Sequence, residues 1–314
     1  MTKIAADRRT MLFGAALTAV ATVAFSGKAV IVKLAYRHGV DTITLLALRM
    51  LFAAPLFLAL GWWASRRQRV KPLTRREWLT MAGLGLLGYY AASLFDFLGL
   101  QYISAALERL VLFLYPTFVV LFSALLFRHR ITRRELLALA ISYAGIALVF
   151  INDLTTQQAN VTLGMVLVLI SALCYAGYLI GSGRLVQRVG SVRFACFASL
   201  AASVGVLTHF IIVRDIAVLI EQPLPVHGLA LLMAVVSTVL PIVLTSEGIR
   251  LLGSNKVAMV GTLGPVATIF LGYVFLNEPI TTVQLAGAAL VVAGVLVIAL
   301  RGTAGARKSE PIGA

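Results

Sequence analysis

SAALERLVLFLYPTFVVLFSALLF, residues Ser104 to Phe127, is an apolar run with Pro116 near its middle. A second run, SNKVAMVGTLGPVATIFLGYVF from Ser254 to Phe275, carries Pro265 in the same relative place. The two prolines lie 149 residues apart (265 − 116), and without a gap that offset also aligns Gly99 with Gly248, Ile131-Thr132 with Ile280-Thr281, and Ala144-Gly145 with Ala293-Gly294. The chain therefore contains two copies of one unit.

The composition of the chain is that of an integral membrane protein. Of its 314 residues 60% are hydrophobic and 12% charged, and the mean hydropathy is +0.97, whereas soluble domains average about 45–50% apolar and about 25% charged residues. A helix needs about 20 apolar residues to cross a hydrocarbon core of about 30 Å. We therefore predict an all-α fold of ten transmembrane helices with no soluble domain.

The first helix follows a short tail, residues 1–10, and resembles a signal peptide at its start. Its apolar run continues past Phe25, which favours an uncleaved helix. The other nine predicted spans are Thr42 to Trp63, Trp78 to Leu98, Ser104 to Phe127, Glu135 to Ile151, Leu163 to Gly183, Phe194 to Val213, Gly228 to Ile249, Ser254 to Leu276 and Val283 to Leu300.

The basic residues test this division, because Lys and Arg gather in loops on the cytoplasmic side. With the N-terminus inside, 21 of the 27 fall in cytoplasmic segments, and only Arg37 and Arg214 fall in external loops. The net charge of +15 is thus spread between apolar runs, which argues against a nucleic-acid partner. Both termini are predicted to be cytoplasmic.

Ten helices in two copies means five helices in each copy. An odd number forces the second copy to enter the membrane from the opposite side, so the repeats are predicted to be inverted. The predicted units are residues 11–151 and 161–300, and residues 301–314 form a second tail. Inverted repeats provide two packings of similar energy around a midplane site, which is typical of transporters that work by alternating access.

The chain resembles the drug/metabolite transporter superfamily, with two EamA-type five-helix domains. The resemblance is carried by ALERLVLFLYPTFVVLFSALLF with ITRRELLALAISYAGIALVF, and by NKVAMVGTLGPVATIFLGYVFLNEPITTVQLAGAALVVAGVLVI. It implies a transporter of the bacterial cytoplasmic (inner) membrane, with substrates among amino acids, nucleotide-related metabolites, sugars and drugs. Glu278 resembles the family's acidic residue in the last link, whereas the first copy has His129 there.

Most charges within the spans fall in one predicted layer near the outer ends of the helices, and such charges normally face a wet cavity or a partner. The cavity candidates are Lys28, Arg49, Asp96, Glu108, Arg109 and His209. One interpretation is a structural network, for example Arg49 paired with Asp96 and Lys28 reaching outward. A second is substrate binding by Lys28 and Arg109, and a third is proton handling by Glu108 or His209. Tyr115 is a candidate aromatic wall of the cavity, or else part of the packed core.

The two prolines are hinge candidates. Proline frees the carbonyl oxygen four residues earlier, which belongs to Leu112 before Pro116 and to Gly261 before Pro265. Their correspondence under the repeat favours paired hinges, and the alternative is that they only shape the packing.

These observations predict a secondary carrier that exports or exchanges a small organic metabolite, such as an amino acid or another carboxylate. The alternative is a channel-like or structural membrane protein. The sequence has no GxxxxGK[ST], no HExxH and no metal spacing around Cys174 and Cys196, so an enzyme, a cofactor and a metal are not expected. The expected partners are the solute and the lipid bilayer. Proton or counter-solute coupling and a homodimer remain open.

Overall fold

The computed structural model describes residues 2–67, 72–127, 132–155 and 160–299, and within these ranges it is helical without a strand. The predicted all-α fold is therefore confirmed for the described part of the chain. The helices are α1 (Thr2–Tyr36), α2 (Thr42–Arg67), α3 (Arg75–Gly99), α4 (Ala105–Leu112), α5 (Tyr115–Phe127), α6 (Arg133–Thr155), α7 (Val161–Val189), α8 (Ser191–Val213), α9 (Ala217–Ile220), α10 (Leu224–Leu252), α11 (Ser254–Gly261), α12 (Leu263–Leu276) and α13 (Thr282–Ala299).

Nine segments of the described chain are long and apolar enough to cross a membrane. They agree with the first nine predicted spans, counting α4 with α5 as one segment and α11 with α12 as another. The predicted tenth span, Val283 to Leu300, corresponds to α13, whose apolar part Thr282–Val297 is shorter than the others. Leu300 lies outside the described residues.

Local sequence signals set the helix boundaries. The Ser104 hydroxyl accepts a hydrogen bond from the Leu107 backbone N–H at 3.1 Å and so caps α4. Thr74 and Glu77 form a reciprocal capping box at the start of α3. Gly39, with φ of +79°, makes the turn between α1 and α2.

The two proline-containing runs were predicted as continuous helices, but the structure interrupts both. The first is interrupted between Leu112, where α4 ends, and Tyr115, where α5 begins, so Pro116 is the second residue of a new helix. The second is interrupted at Thr262, and Pro265 is the third residue of α12. Each break lies just upstream of its proline, which falls in the first turn of the new helix, where the missing N–H is not needed.

Each copy also contains a π-helical segment that the sequence did not predict. One spans Leu86–Ala91 within α3 and the other Val235–Val239 within α10. Their first residues lie 149 positions apart (235 − 86), which is the offset of the two prolines. Because π-segments are rare and often lie at functional sites, their matched positions extend the repeat from sequence to backbone geometry.

The last helices of the two copies, α6 and α13, pack closely through small residues. A Cβ atom on Gly145 would lie 2.6 Å from the carbonyl oxygen of Gly287, and one on Gly294 would lie 2.6 Å from that of Ala138. At the 149-residue offset Gly145 corresponds to Gly294 and Ala138 to Gly287, so each of the two contacts is the equivalent of the other. The crossing of the two helices is therefore approximately two-fold symmetric, and their backbones approach so closely there that only glycine fits.

Replacing Gly294 with Val should destabilise the protein, because the new side chain would collide with the Ala138 carbonyl oxygen and the Ser142 hydroxyl. Overpacking of this kind typically costs about 1–3 kcal/mol. Thermal unfolding of the purified protein in detergent measures the loss. Gly183→Ala is the control, since no atom lies within 4 Å of a Cβ there. Equal unfolding temperatures for Gly294→Val and Gly183→Ala would contradict the close crossing.

Candidate functional site

Four charged side chains meet in the interior of the bundle. Lys28 comes from α1, Asp96 from α3, and Glu108 and Arg109 from α4, and their exposed fractions are 7%, 2%, 0% and 6% respectively. Charges at this depth are costly in a bilayer and are found where they pair or face a cavity. We call these four residues the charge centre.

Lys28 connects both acids of the charge centre. Its Nζ donates a hydrogen bond to Asp96 Oδ2 and lies 3.0 Å from Glu108 Oε1. The contact with Glu108 is an ion pair without hydrogen-bond geometry, because neither Glu108 oxygen has a hydrogen-bond partner. One ammonium group therefore serves two carboxylates and fixes α1 against α3 and α4.

Arg109 is held differently. Its guanidinium carbon lies 4.9 Å from the centre of the Phe25 ring and 5.9 Å from that of Phe113. A Cβ on Gly264 of α12 would lie 2.5 Å from its Nη2, so glycine makes room for it. Its Nε has no hydrogen-bond acceptor, and among the described residues no carboxylate forms an ion pair with it. Arg109 is thus a buried cation that contacts aromatic rings rather than an anion.

Arg49 does not pair with Asp96, so that part of the predicted network is wrong. Its Nε donates to Thr238 Oγ1 at 3.0 Å, and its Nη1 donates to Ser93 Oγ at 3.2 Å. Its guanidinium carbon lies 5.4 Å from the centre of the Phe97 ring. Asp96 is instead occupied by Lys28, whose ammonium group reaches it from α1. Arg49 thus joins α2 to α3 and to the π-segment of α10.

Tyr115 belongs to a row of tyrosines that the sequence analysis largely missed. Its ring lies 5.2 Å from that of Tyr175, which stacks on Tyr178 at 5.7 Å, and the Tyr178 hydroxyl lies 3.0 Å from that of Tyr89. Phe113 links this row to Arg109, since its ring lies 6.4 Å from Tyr115. The missed signal is Tyr175 and Tyr178 in YAGY, three residues apart and so on one helix face.

His209 lies apart from the charge centre. Its Nδ1 is 2.8 Å from the Tyr90 hydroxyl, and the two rings meet edge to face at 5.9 Å. This pair joins α8 to the π-segment of α3. The structure brings Lys28, Asp96, Glu108 and Arg109 together, with Tyr115 nearby, and places Arg49 and His209 in separate polar contacts.

A second ionic cluster closes the end of the bundle where α1 finishes, which we call the Lys33 end. Lys33 Nζ donates to the Ile103 carbonyl oxygen at 2.8 Å and lies 3.0 Å from Glu278 Oε1. The same Glu278 oxygen accepts the Ala105 backbone N–H at 3.3 Å. A recess of about 390 Å³ opens beside Lys33. These contacts tie α1, the start of α4 and the link between α12 and α13.

The comparison with known protein families gives two matches, one in each copy of the repeat. The sequence profile described as "EamA-like transporter family" matches the chain twice, over residues 12–151 and 162–300. The chain belongs to the EamA-like transporter family. The resemblance to the drug/metabolite transporter superfamily is thereby confirmed, and with it a transporter rather than an enzyme.

Relatives of this EamA-family chain carry general names. It is 32% identical over 272 residues to "Uncharacterized transporter YcbK" of Bacillus subtilis (strain 168), covering 85% of this chain and 86% of that one. It is 23% identical over 228 residues to "Uncharacterized transporter YyaM" of the same organism, covering 72% and 74%. A crystal structure with 20% identity shares the fold with a TM-score of 0.61 and covers 95% of this chain and 99% of the other.

The two cations of the charge centre should differ in their importance for folding. Lys28→Met leaves Asp96 and Glu108 buried without their shared counter-ion, a change that typically costs about 3–5 kcal/mol. Arg109→Met removes a cation that has no ion-pair partner and keeps an apolar stem against the rings, so its effect should be smaller. Thermal unfolding in detergent compares the two variants, with Lys28→Arg as the charge-preserving control. A greater loss for Arg109→Met than for Lys28→Met would contradict these assignments.

Proposed function

We propose that the chain is a secondary carrier that exports or exchanges a small organic metabolite with an anionic group, such as an amino acid or another carboxylate. The observation that carries this proposal is Arg109, a cation with 6% exposure, no ion-pair partner in the described residues and no acceptor at Nε. A guanidinium group offers two parallel N–H donors that match a carboxylate.

The surroundings of Arg109 suit a solute with an apolar body. Phe25, which stacks on the guanidinium group, keeps 40% of its surface exposed. Tyr115 and Tyr175 are only partly buried and extend the aromatic surface away from the charge. We assign Arg109 to the solute's anionic group and the aromatic surface to the rest of the solute. Lys28 is assigned to positioning, because Asp96 and Glu108 already occupy its ammonium group.

We further propose ten transmembrane helices in two inverted five-helix repeats that work by alternating access. Support comes from the twofold family match, the matched π-segments at Leu86 and Val235, and the exchanged glycine contacts of α6 and α13. A pore needs no internal correspondence of this kind, whereas a carrier with two similar packings does. The Lys33 end, tied by Glu278, is then the closed gate of the conformation described.

The orientation proposed here puts both termini in the cytoplasm and the Lys33 end outside, because 21 of the 27 basic residues then lie in cytoplasmic segments. His38, exposed in the turn after α1, provides a check. With His38 replaced by Cys in a background lacking Cys174 and Cys196, a membrane-impermeant thiol reagent should label intact cells. Labelling only after the cells are opened would reverse the orientation.

Pro116 and Pro265 should act as hinges for opposite gates. Replacing either with Ala restores a backbone N–H and favours a continuous helix, and under inversion α5 and α12 point toward opposite sides of the membrane. Pro116→Ala and Pro265→Ala should therefore shift the accessibility of a cysteine at position 25 in opposite directions. A shift of about 1.4 kcal/mol changes the ratio of states tenfold. Changes in the same direction would assign the prolines to packing alone.

The anion site is tested by a thermal-shift screen of the purified protein against amino acids, carboxylates, sulfonates and nucleotides, since a ligand of the native state raises its stability. Arg109→Gln should weaken the binding of the anionic hits by about 2–5 kcal/mol, as expected when one member of a buried charge pair is lost. Arg214→Gln is the matched control, because Arg214 is an exposed arginine whose Nε lies 3.6 Å from Asp41 Oδ2. Unchanged binding by Arg109→Gln would overturn the anion site.

Proteoliposomes separate a carrier from a channel. The hit from the screen should enter with saturable kinetics, and unlabelled solute inside should accelerate the entry of labelled solute, because the loaded site returns faster than an empty one. Linear, unsaturable flux would favour the channel-like alternative.

A further inference from the structure

Glu108 is the one acid of the charge centre whose carboxylate accepts no hydrogen bond. Its side chain is fully buried, and its one ion-pair contact among the described residues is Lys28 Nζ at 3.0 Å, while that ammonium group is hydrogen-bonded to Asp96. Asp96 Oδ1 also has no hydrogen-bond partner, but its Oδ2 is occupied. An ionised carboxylate is stabilised by donors and destabilised by burial and by a second carboxylate. Glu108 is therefore the acid of this centre with the fewest contacts that stabilise an ionised carboxylate.

The charges of the centre cancel before any solute enters. Within the four-residue centre, Lys28 and Arg109 balance Asp96 and Glu108. Arg49 lies outside this centre and keeps its own charge, since it donates only to the neutral hydroxyls of Thr238 and Ser93. A solute anion at Arg109 would leave one uncompensated negative charge in a buried place, next to Glu108 in the sequence. A proton on Glu108 removes that excess.

The groups that face α4 from its neighbours bear on this balance. Those of the charge centre are Lys28, Asp96 and Arg109. At the start of α4, Asp153 of α6 accepts the Ser104 N–H at 3.1 Å, and Glu278 accepts the Ala105 N–H beside Lys33. Toward its other end lie Tyr115 of α5 and Tyr175 of α7. Asp153 and Glu278 each accept a backbone hydrogen bond, whereas the Glu108 carboxylate accepts none and shares its one counter-ion, Lys28, with Asp96.

We propose that Glu108 is the proton-binding site of the carrier, and that one proton moves in the same direction as each anionic solute. The proton binds a Glu108 carboxylate oxygen from water when the centre is open to one side, stays while the solute anion occupies Arg109, and leaves on the other side with it. This inference rests on the proposed anion site at Arg109.

The test uses benzenesulfonate, because this aromatic anion keeps its charge across the working pH range and adds no proton of its own. In weakly buffered detergent solution with a pH indicator, its binding to the wild-type protein should take up protons. By linkage its affinity should rise as pH falls, by up to about tenfold per pH unit. Glu108→Gln, a mimic of the protonated acid, should bind benzenesulfonate with no proton uptake and no pH dependence.

Two further variants make the result specific. Glu108→Asp keeps a carboxylate and should restore proton uptake. Asp153→Asn changes another acid with 2% exposure while keeping an oxygen for the Ser104 N–H, and should behave as wild type. In proteoliposomes, acid outside should drive benzenesulfonate uptake by wild type, whereas Glu108→Gln should exchange it without response to the pH gradient.

The outcomes separate the two proposals. Benzenesulfonate binding without proton uptake in wild type, or unchanged proton uptake in Glu108→Gln, would overturn the role of Glu108 and leave the anion site intact. Failure of wild type to bind benzenesulfonate or any carboxylate of the screen would overturn the anion site, and this inference with it.

Discussion

The contact of the Lys28 ammonium group with two buried carboxylates is the interaction on which the rest of the centre depends. In water such a group would exchange partners freely, but inside a bilayer each unpaired charge is expensive. Because Asp96 and Glu108 both approach Lys28 Nζ, α3 and α4 are fixed against α1. That arrangement leaves Arg109 without an anion in the described chain, so the free binding capacity of the centre is cationic.

The repeated backbone and the unrepeated charges have different roles. The proline breaks and π-segments recur at the 149-residue offset, whereas Lys28, Asp96 and Glu108 correspond to Gly177, Thr245 and Val257. Two similar halves can provide two similar packings, but a substrate needs only one site. The second copy contributes space to the charge centre, since Gly264 lets the Arg109 guanidinium group lie against α12.

The sequence predicted what depends on composition, periodicity and repetition: the helical membrane fold, most spans and the two copies. It also brought the four members of the charge centre into one candidate set. It did not predict which charges form pairs. Arg49 and Lys28 lie on different helices, and the rotation of each helix about its own axis decides which of them reaches Asp96. The π-segments and the helix breaks were missed because they depend on close contacts, such as Gly88 against Tyr178, that a single helix does not contain.

The contacts at the Lys33 end of the bundle are not repeated in the other copy. At the Lys33 end, Glu278 combines an ion pair with a backbone hydrogen bond to Ala105, and Arg37 Nη2 donates to the Leu276 carbonyl oxygen at 2.6 Å. At the 149-residue offset Lys33 and Glu278 correspond to Ser182 and His129 in the sequence, residue types that do not form the same ion pair. Separating these helices requires the polar groups at the Lys33 end to be hydrated in place of their partners. In the alternating-access cycle that we propose, these contacts favour the conformation in which the Lys33 end is closed, and a bound solute supplies the free energy to open it.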